Sequence, residues 1–534
     1  MIEWNEWSEK VIEREHGKIY FYRELYEGNH SQIFSRAKDL IEKGEIVDII
    51  GEKQIKTINV RSPYIVANIC KLIPEIPATL VSRSIGKIKS SIKSTDEQNE
   101  AANESSDEII DGPRGDAADN RIENLQDEII QQIAKNSNLR FEHWSNIVQH
   151  QVDGGIVAVP WKDERGIRID FKKRDVYFPH EDGLGADLAY DRKIAGHDYL
   201  HVYRERWDKT DLETEHMLFR VKEGNRTEPV EDAEAIELLG LEQLKTIFMG
   251  RSRPFIQYWA NEKTMSFPLG TSALKGQESK QEEINWTLTR AGITFERNGK
   301  PRLTVPQKTF EEAQDKAYER YKNENLIDHR DFEITTYDEQ GKALALVQID
   351  TTKIGDMTWV KELVQAMLIE TKTSQKAVDF YMDGGAPAQS GVAKFYDLFV
   401  SIIKAENIQA EYIYLLQQLF ESCLWLANQD DPAIIIEEPE ITLNGMMPVN
   451  RKELVEENNK EYTDGTASLE TTVRRNNPHA SEEWIQEELA RIEEGAQGDD
   501  TVSLLAGRQT LGNLQDNRDK ELVTEDDEEV DENV

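Results

Sequence analysis

Cysteine and long apolar runs are both scarce in this sequence of 534 residues. The two cysteines, Cys70 and Cys423, are too few and too unpatterned for a disulfide scaffold or a zinc site, so we expect both to be buried as small apolar side chains. No apolar run approaches the roughly 20 residues that a helix needs to cross a bilayer, and the segment Met1–Trp7 lacks the apolar core of a signal peptide. These absences predict synthesis in the cytoplasm without membrane insertion.

The sequence also lacks the motifs of several common enzyme classes. It contains no Walker A loop, no Gly-x-Gly-x-x-Gly, no His-Glu-x-x-His and no Gly-x-Ser-x-Gly. These motifs supply the phosphate cradle, the dinucleotide turn, the zinc ligands and the nucleophile of their enzymes. We therefore expect a protein that is not an enzyme, with no catalytic residue, no cofactor and no bound metal.

Three small groups of residues could nevertheless bind a metal ion. His197 and His201 would share one face of a strand or a helix, but no third ligand is evident, so ordinary surface positions are favoured. The cluster His180–Asp182 and the pair Glu437 and Glu438 are more typical of solvated turns and strand ends than of a nuclease site. A metal-dependent nuclease is therefore the weakest alternative.

Acidic residues outnumber basic ones by 102 to 64, which gives a formal net charge of -38. Such a charge repels a nucleic-acid backbone and disfavours tight DNA binding by the protein as a whole. It is compatible with a duplex that slides past a mostly acidic wall, although solubility alone would also explain it. Two polar segments are expected to be mobile or disordered: an insertion at about 94–115 and an acidic tail over 496–534.

The most informative feature is a flexible break, Phe380–Gly391, between two strongly helical stretches. Apolar residues recur at helical spacing on both sides of it, over Val360–Leu368 and again after Val392. An unbroken helix from Val392 to Gln429 would be roughly 55 Å long at about 1.5 Å per residue. The pattern predicts a helix–loop–helix that projects a mobile loop into a central space.

Helical patterns occupy much of the rest of the chain. Pro74 and Pro77 are expected to end or kink an apolar stretch at Tyr64–Cys70, and Gly299–Pro301 is expected to stop a polar helix. The predicted helices are Phe21–His30, Ser31–Ile41, Ile122–Ile133, Phe141–Gln151, Ser272–Arg297 and two short ones within Ser468–Glu494.

Short segments rich in β-branched and aromatic residues predict a β-rich subdomain from Gly154 onward. A small α/β module, Arg302–Ile349, lies between two helical stretches, and Ala433–Ile436 predicts one more strand. The chain is therefore expected to mix helices and sheets. The expected strands of the subdomain are Gly155–Trp161, Gly166–Phe171, Asp175–Pro179 and Asp198–Trp207.

A set of sequence patches follows one another in a particular order along most of the chain. They are Gly154–Val159, Gly270–Asn285 with Thr287–Arg290 and Gly299–Val305, Gly385–Leu398, and Gly465–Glu470 with Asn477–Pro478 and Glu482–Glu494. In this order they resemble the wing, stem entry, tunnel loop with its following helix, and crown of the portal proteins of tailed bacteriophages, the head-tail connectors of the siphophage type. Each patch is loose by itself, and their order is the specific signal.

The resemblance implies a fold of the α+β class, the portal fold, that assembles into a ring oligomer. Its expected segments are a wing over 1–265, a stem helix over 266–300, a small α/β clip over 301–350, a second stem helix over 351–380, the tunnel loop over 381–391, a long helix with a return to the wing over 392–450, and a helical crown over 451–495.

The resemblance also implies a function and a set of partners. Portal proteins form a ring, usually a dodecamer, at one capsid vertex of the virion, and viral DNA is packaged and ejected through it. Assembly is expected in the host cytoplasm, without membrane contact. The expected partners are further copies of the chain, a terminase motor that hydrolyses ATP, a head-tail adaptor that shares the clip surface with the motor, the major capsid and scaffolding proteins, and double-stranded DNA in the channel.

The tunnel loop carries the candidate site residues. Its glycines permit unusual backbone dihedral angles, so the loop can adapt to a passing duplex. Lys372, Lys376 and Lys394 flank it and are candidates for transient phosphate contacts, with ordinary solvated lysines as the alternative. The candidate channel residues are Asp383, Gly384, Gly385, Ala386, Pro387, Ala388, Gln389 and Ser390.

An acidic helical interaction scaffold without a channel is the main alternative to the portal interpretation. It would explain the long helices, the net charge and the missing active-site motifs equally well. Ring formation separates the two interpretations, because only the portal requires a closed ring.

Overall fold

The structure, a computed structural model, describes residues 4–44, 63–92, 116–163, 165–208, 210–298, 302–304, 307–322, 345–347, 357–375, 391–446, 451–477 and 484–492. The chain divides into two compact units, one formed by residues up to 389 with 393–446 and the other by residues 390–392 with 447 onward. The predicted insertion at about 94–115 and the predicted acidic tail lie outside the described residues.

Helices form much of both units. In chain order they are α1 (Glu9–His16), α2 (Ile19–Glu27), α3 (His30–Ile33), α4 (Ser35–Glu42), α5 (Leu72–Ser84), α6 (Asp116–Asn136), α7 (Leu139–Asp153), α8 (Asp232–Leu239), α9 (Glu278–Asn298), α10 (Gln307–Tyr321), α11 (Met357–Glu370) and α12 (Gly391–Asp430). The second unit contains α13 (Arg451–Thr463), α14 (Leu469–Asn476) and a helix at 484–492.

The strands pair in antiparallel fashion. They are β1 (Ile85–Lys89), β2 (Gly155–Asp163), β3 (Gly166–Lys173), β4 (Tyr177–Pro179), β5 (Gly185–Ile194), β6 (His197–Asp208), β7 (Asp211–Val221), β8 (Thr227–Pro229), β9 (Lys245–Met249), β10 (Gln257–Ala260), β11 (Arg302–Thr304), β12 (Ala345–Val347) and β13 (Glu440–Leu443). The largest sheet has the order β4-β5-β6-β7-β8, with β9 also paired to β7, and a smaller sheet has the order β10-β2-β3. Two-stranded pairs join β1 to β13 and β11 to β12.

The long helix α12 belongs to the core of the first unit for much of its length. Tyr412, Phe420 and Leu424 on this helix are fully buried, and Trp425 packs in one cluster with Val157 and other side chains of the sheets. At 40 residues the helix is about 60 Å long. Because its apolar face is buried within the first unit, packing rather than helix propensity holds this long element in place.

The α+β class, the helix after the break and the β-rich subdomain are confirmed as predicted. Cys70 and Cys423 are both buried and unpaired, as expected from their sparse pattern. None of the helices in the described ranges is long and apolar enough to cross a membrane.

The prediction for the prolines near residue 75 was wrong. The segment Tyr64–Cys70 is not helical, so the prolines end no helix there. Pro74 and Pro77 instead lie within α5. Amide groups in the first turn of a helix have no partner inside the helix, so Pro74 removes no hydrogen bond there. The extended segment before it is held by side chains of α9, since Asn285 accepts a hydrogen bond from the Ala67 amide and Gln281 accepts those of Ile69 and Cys70.

The strand predicted at Ala433–Ile436 was also wrong, because the strand of this region is β13, at Glu440–Leu443. The side-chain amide of Gln126 donates to the carbonyl oxygen of Ile435 and accepts from its amide, at 2.6 Å and 3.3 Å. A side chain thus takes the hydrogen bonds that a neighbouring strand would make.

The polar helix begins later than predicted, at Glu278 rather than at Ser272. Residues 272–277 form a turn in which the amide of Gln277 bonds to the carbonyl oxygen of Leu274. Gly276 has a φ angle of 85°, which a right-handed helix cannot include. The turn therefore stays outside α9 and is available to line a cleft.

Candidate functional site at the helix junction

The last described residues before the predicted tunnel loop include a turn after α11. The turn, Thr371–Ser374, contains Lys372 with a φ angle of 54°, a left-handed conformation that is uncommon for a residue other than glycine. The amide of Thr373 bonds to the carbonyl oxygen of Leu368 at 2.8 Å and closes the helix end. The helix α11 therefore ends abruptly at this turn.

The long helix α12 holds this turn from one side. The amide of Ser374 donates to the hydroxyl oxygen of Ser401 at 2.7 Å, and the Nζ of Lys404 donates to the carbonyl oxygen of Thr371 at 3.0 Å. These bonds fix the end of α11 against α12, so the two helices that flank the loop are joined close to its start.

The start of α9 holds the turn from another side. Lys280 donates from Nζ to Oε2 of Glu370 at 2.7 Å, and Gln277 donates to the same oxygen at 3.1 Å. These two hydrogen bonds, with that of Lys280 contributing most, lower the pKa of the Glu370 carboxyl group. Three segments that are far apart in the sequence thus meet at one place, which we call the helix junction.

A cavity of about 130 Å³ opens at the helix junction, and we call it the junction cleft. Three lysines and two glutamates line the cleft. Lys280 lies next to it and bonds to Glu370, so four cations and two anions lie at the cleft. This local excess of positive charge contrasts with the net charge of -38 of the whole chain. The lining residues are Glu262, Thr271, Ser272, Ala273, Lys275, Gln277, Glu370, Thr371, Lys372 and Lys404.

Lys404 has the most perturbed environment of the cleft lysines. Burial lowers the pKa of its ammonium group to about 8, Glu262 opposes this effect, and the charge of Lys372 adds to it. Lys275 is held differently, with its Nζ 3.6 Å from the centroid of the Phe267 ring. The ammonium group of Lys404 is therefore held by a backbone carbonyl group, and that of Lys275 by an aromatic ring.

The structure tests only part of the predicted site. Lys372 lies on the cleft as described above, whereas Lys376 and the tunnel loop residues Asp383–Ser390 lie outside the described residues. The backbone of Lys394 belongs to α12, but its side chain lies outside the described part of the chain. The phosphate-contact role of these lysines stays a prediction.

Sequence reasoning missed the other cleft lysines, Lys275 and Lys404. One signal was present, because Lys394 and Lys404 are the only basic residues in the 40-residue sequence of α12. A cation in an otherwise apolar and acidic helix points to a specific environment. No such signal was present in the sequence for Lys275, because its place on the cleft depends on how the turn at residues 272–277 packs.

Three of the candidate metal ligands, His201, His180 and Glu437, have other partners in the structure. His201 is buried, contrary to the expected surface position, because it lies on a central strand, where its Nε2 is 3.1 Å from Nδ1 of His216. His180 bonds to Asp187, and Glu437 accepts hydrogen bonds from Ser91. Within the described ranges, no group of three or more histidine, cysteine, aspartate or glutamate residues is placed to hold a metal ion.

Comparisons with known proteins identify no family for this chain. No protein-family model matches it, and no curated protein matches it. Among solved structures, a chain of the neck of an empty GTA particle, computed with C6 symmetry, has a TM-score of 0.38 at 10% identity and covers 75% of this chain and 85% of its own length.

Two further solved structures are similar at the same level. A chain of the neck of a native GTA particle, computed with C12 symmetry, has a TM-score of 0.32 at 10% identity, over 62% of this chain and 77% of its own. A chain of the virion of a native gene transfer agent particle has a TM-score of 0.35 at 11% identity, over 70% of this chain and 96% of its own. Likenesses of this degree do not establish a common function.

Proposed function

We propose that this chain is a portal protein, one subunit of a ring that surrounds viral DNA at a capsid vertex. In this proposal DNA passes through the ring during packaging and ejection. The observation that carries the proposal is the order of the described elements around the helix junction: a helix, a small α/β module, a second helix and a 40-residue helix.

The pairing of α9 with α11 supports the proposed stem. Ile284 and Leu288 of α9 share one apolar cluster with Leu363, Val364 and Met367 of α11. Between these helices the chain forms β11, α10 and β12, and the two strands pair with each other. A helix pair that carries a small module at its far end is the arrangement expected of a stem with a clip.

Exposed apolar side chains on the flanking helices support subunit contacts. Val400 and Ile403 on α12 are 51% and 41% exposed, and Ile369 on α11 is 68% exposed. Exposed apolar side chains such as these are candidates for a contact with another protein. In a closed ring each copy would contact the next through two different surfaces, and such contacts close by rotation.

The proposed function divides the work between this chain and its partners. The sequence contains no phosphate-binding loop, so ATP hydrolysis would come from a terminase motor docked on the clip together with a head-tail adaptor. The capsid and scaffolding proteins would surround the ring. The chain itself would be a conduit and not an enzyme.

Negative-stain electron microscopy of the purified chain tests the proposal. We expect end-on class averages with a closed ring and a central hole wide enough for duplex DNA. Particles that stay monomeric, even with capsid and scaffolding proteins present, would contradict it and favour an acidic interaction scaffold.

A further inference from the structure

We infer that the junction cleft binds a phosphate group, supplied either by a free phosphate ion or by the backbone of DNA. The inference rests on the proposed function only for DNA as the source. The cleft itself is a property of the described residues, and its chemistry is independent of any ring.

The shape of the cleft suits a small anion. A volume of about 130 Å³ is several times the roughly 10–15 Å³ that one water-sized sphere occupies. A tetrahedral oxyanion therefore fits together with one or more waters. Thr271 and Ser272 lie among the lining residues beside the lysines.

The hydrogen-bonding state of the lysines leaves donors for a ligand. An ammonium group has three N–H donors, and Lys404 uses one of them on the carbonyl oxygen of Thr371. Lys372 and Lys275 form no ion pair with any residue in the described part of the chain. Lys404 is partly buried, whereas Lys372 and Lys275 are exposed. The donors that remain on these three ammonium groups are available to an anion with several acceptor oxygens.

The charge of the cleft selects the class of ligand. Glu370 is already engaged by Lys280 and Gln277, and Glu262 is the remaining acid near Lys404. Three lysines against one free carboxylate leave an excess of about two positive charges. A phosphate dianion matches that excess, whereas a chloride ion or a single carboxylate matches half of it.

The cleft lies between two elements of the first unit. Lys372 lies on the turn after α11, and Lys404 lies on the long helix α12. A phosphate bound between these two lysines would bridge the turn and the long helix.

Isothermal titration of the full-length chain with inorganic phosphate, at constant ionic strength maintained with chloride, tests the inference. We expect saturable binding by the wild type, about tenfold or more weaker binding by Lys404→Gln, and a smaller loss in Lys372→Gln. Lys87→Gln, on the exposed part of β1, is the matched control and should bind as the wild type does.

Two results would overturn the inference: no phosphate binding by the folded wild type, or equal affinity in all four proteins. Lys372 is exposed on a turn, so its variant is expected to fold even if the substitution of Lys404 disturbs packing. Circular dichroism of each protein checks folding.

A competition experiment separates the two sources of phosphate. A short DNA duplex that displaces inorganic phosphate from the wild type, and does so more weakly in Lys372→Gln, identifies the DNA backbone as the ligand. Displacement by free phosphate esters but not by the duplex identifies a free ion. Electron microscopy of the same samples reports ring formation separately, so failure of the cleft and failure of the proposed conduit are distinguishable.

Discussion

Arg251 and Glu421 form a two-pronged ion pair between the sheet region and the long helix. Nη1 of Arg251 lies 2.6 Å from Oε1 of Glu421, and its Nη2 lies 2.8 Å from Oε2. The guanidinium group also donates to the hydroxyl of Ser422 and packs over the ring of Trp425. Because Arg251 is only 3% exposed, this pair holds α12 in its place inside the first unit.

Replacing Arg251 with alanine is expected to destabilise the protein by about 3–5 kcal/mol, because the largely buried Glu421, whose side chain is 12% exposed, would lose its partner. Arg253→Ala is the matched control, since its ion pair with Glu438 is 3.4 Å long and about half exposed, and such pairs contribute less than about 1 kcal/mol. Urea unfolding followed by tryptophan fluorescence measures both changes. Equal destabilisation by the two variants would contradict the anchoring role of Arg251.

Glu205 is expected to make stability depend on pH. Burial raises the pKa of its carboxyl group to about 7, against the effect of hydrogen bonds from Ile256, Tyr203 and Phe255. Between about pH 4.5 and pH 7, the carboxyl group is protonated in the folded state and ionised in the unfolded state. The stability that this group contributes therefore falls as the pH rises through that range.

In the Glu205→Gln variant the side chain is neutral at every pH, so its stability should not fall between about pH 4.5 and 7 as that of the wild type does. Its unfolding midpoint, relative to the wild type, is expected to be higher at pH 8 than at pH 5. Glu213→Gln, an exposed position on the neighbouring strand, should show the same difference at both pH values. A Glu205→Gln difference that does not change with pH would show that the carboxyl group is ionised throughout.

Gly270 is expected to tolerate no side chain. It has a φ angle of 87°, and a Cβ atom would lie 2.3 Å from the carbonyl oxygen of Gly154 and 2.4 Å from that of Asn261. Gly270→Ala should destabilise the protein by about 2–5 kcal/mol, from backbone strain and overpacking together. Gly183 has a similar φ angle of 68° with open space around it, so Gly183→Ala should cost only about 1–2 kcal/mol. Thermal unfolding of both variants checks the order.

Val400 is expected to lie in the contact between neighbouring subunits of the proposed ring. Val400→Glu should prevent ring formation, because a charge at an apolar contact is unfavourable. The change in the stability of the monomer should stay within about 0.5 kcal/mol, since the side chain is exposed. Ile247→Glu, at another exposed apolar position, should still form rings. Intact rings of Val400→Glu in electron micrographs would place the contact elsewhere.

Deletion of Ala386–Gln389 tests the predicted tunnel loop. Rings of this variant are expected to assemble, because the loop is predicted to face the channel and not the subunit contact. Packaging or retention of DNA should fall, since a shortened loop cannot follow the duplex. Replacing the same residues with a Gly-Ser segment of equal length is the control and should preserve more activity. Normal packaging by the deletion variant would remove the assigned role.

Elements with a long and regular pattern were predictable from the sequence. The helix expected at Val392–Gln429 is found at Gly391–Asp430, because ten turns of apolar periodicity leave little freedom in its assignment. Short apolar segments were not predictable in this way. Tyr64–Cys70 and Ala433–Ile436 are satisfied by the side chains of Asn285, Gln281 and Gln126, which come from distant parts of the chain.

The sequence by itself determined the α+β class, the bounds of the long helix and the absence of common enzyme motifs. Periodicity and composition carry this information because they report which face of each element avoids water. Only the tertiary structure decided that His201 is buried, that Arg251 holds α12, and that Lys275, Lys372 and Lys404 share one cleft. Hydrophobic burial is not directional, so a pattern can require a covering partner without specifying which residues supply it.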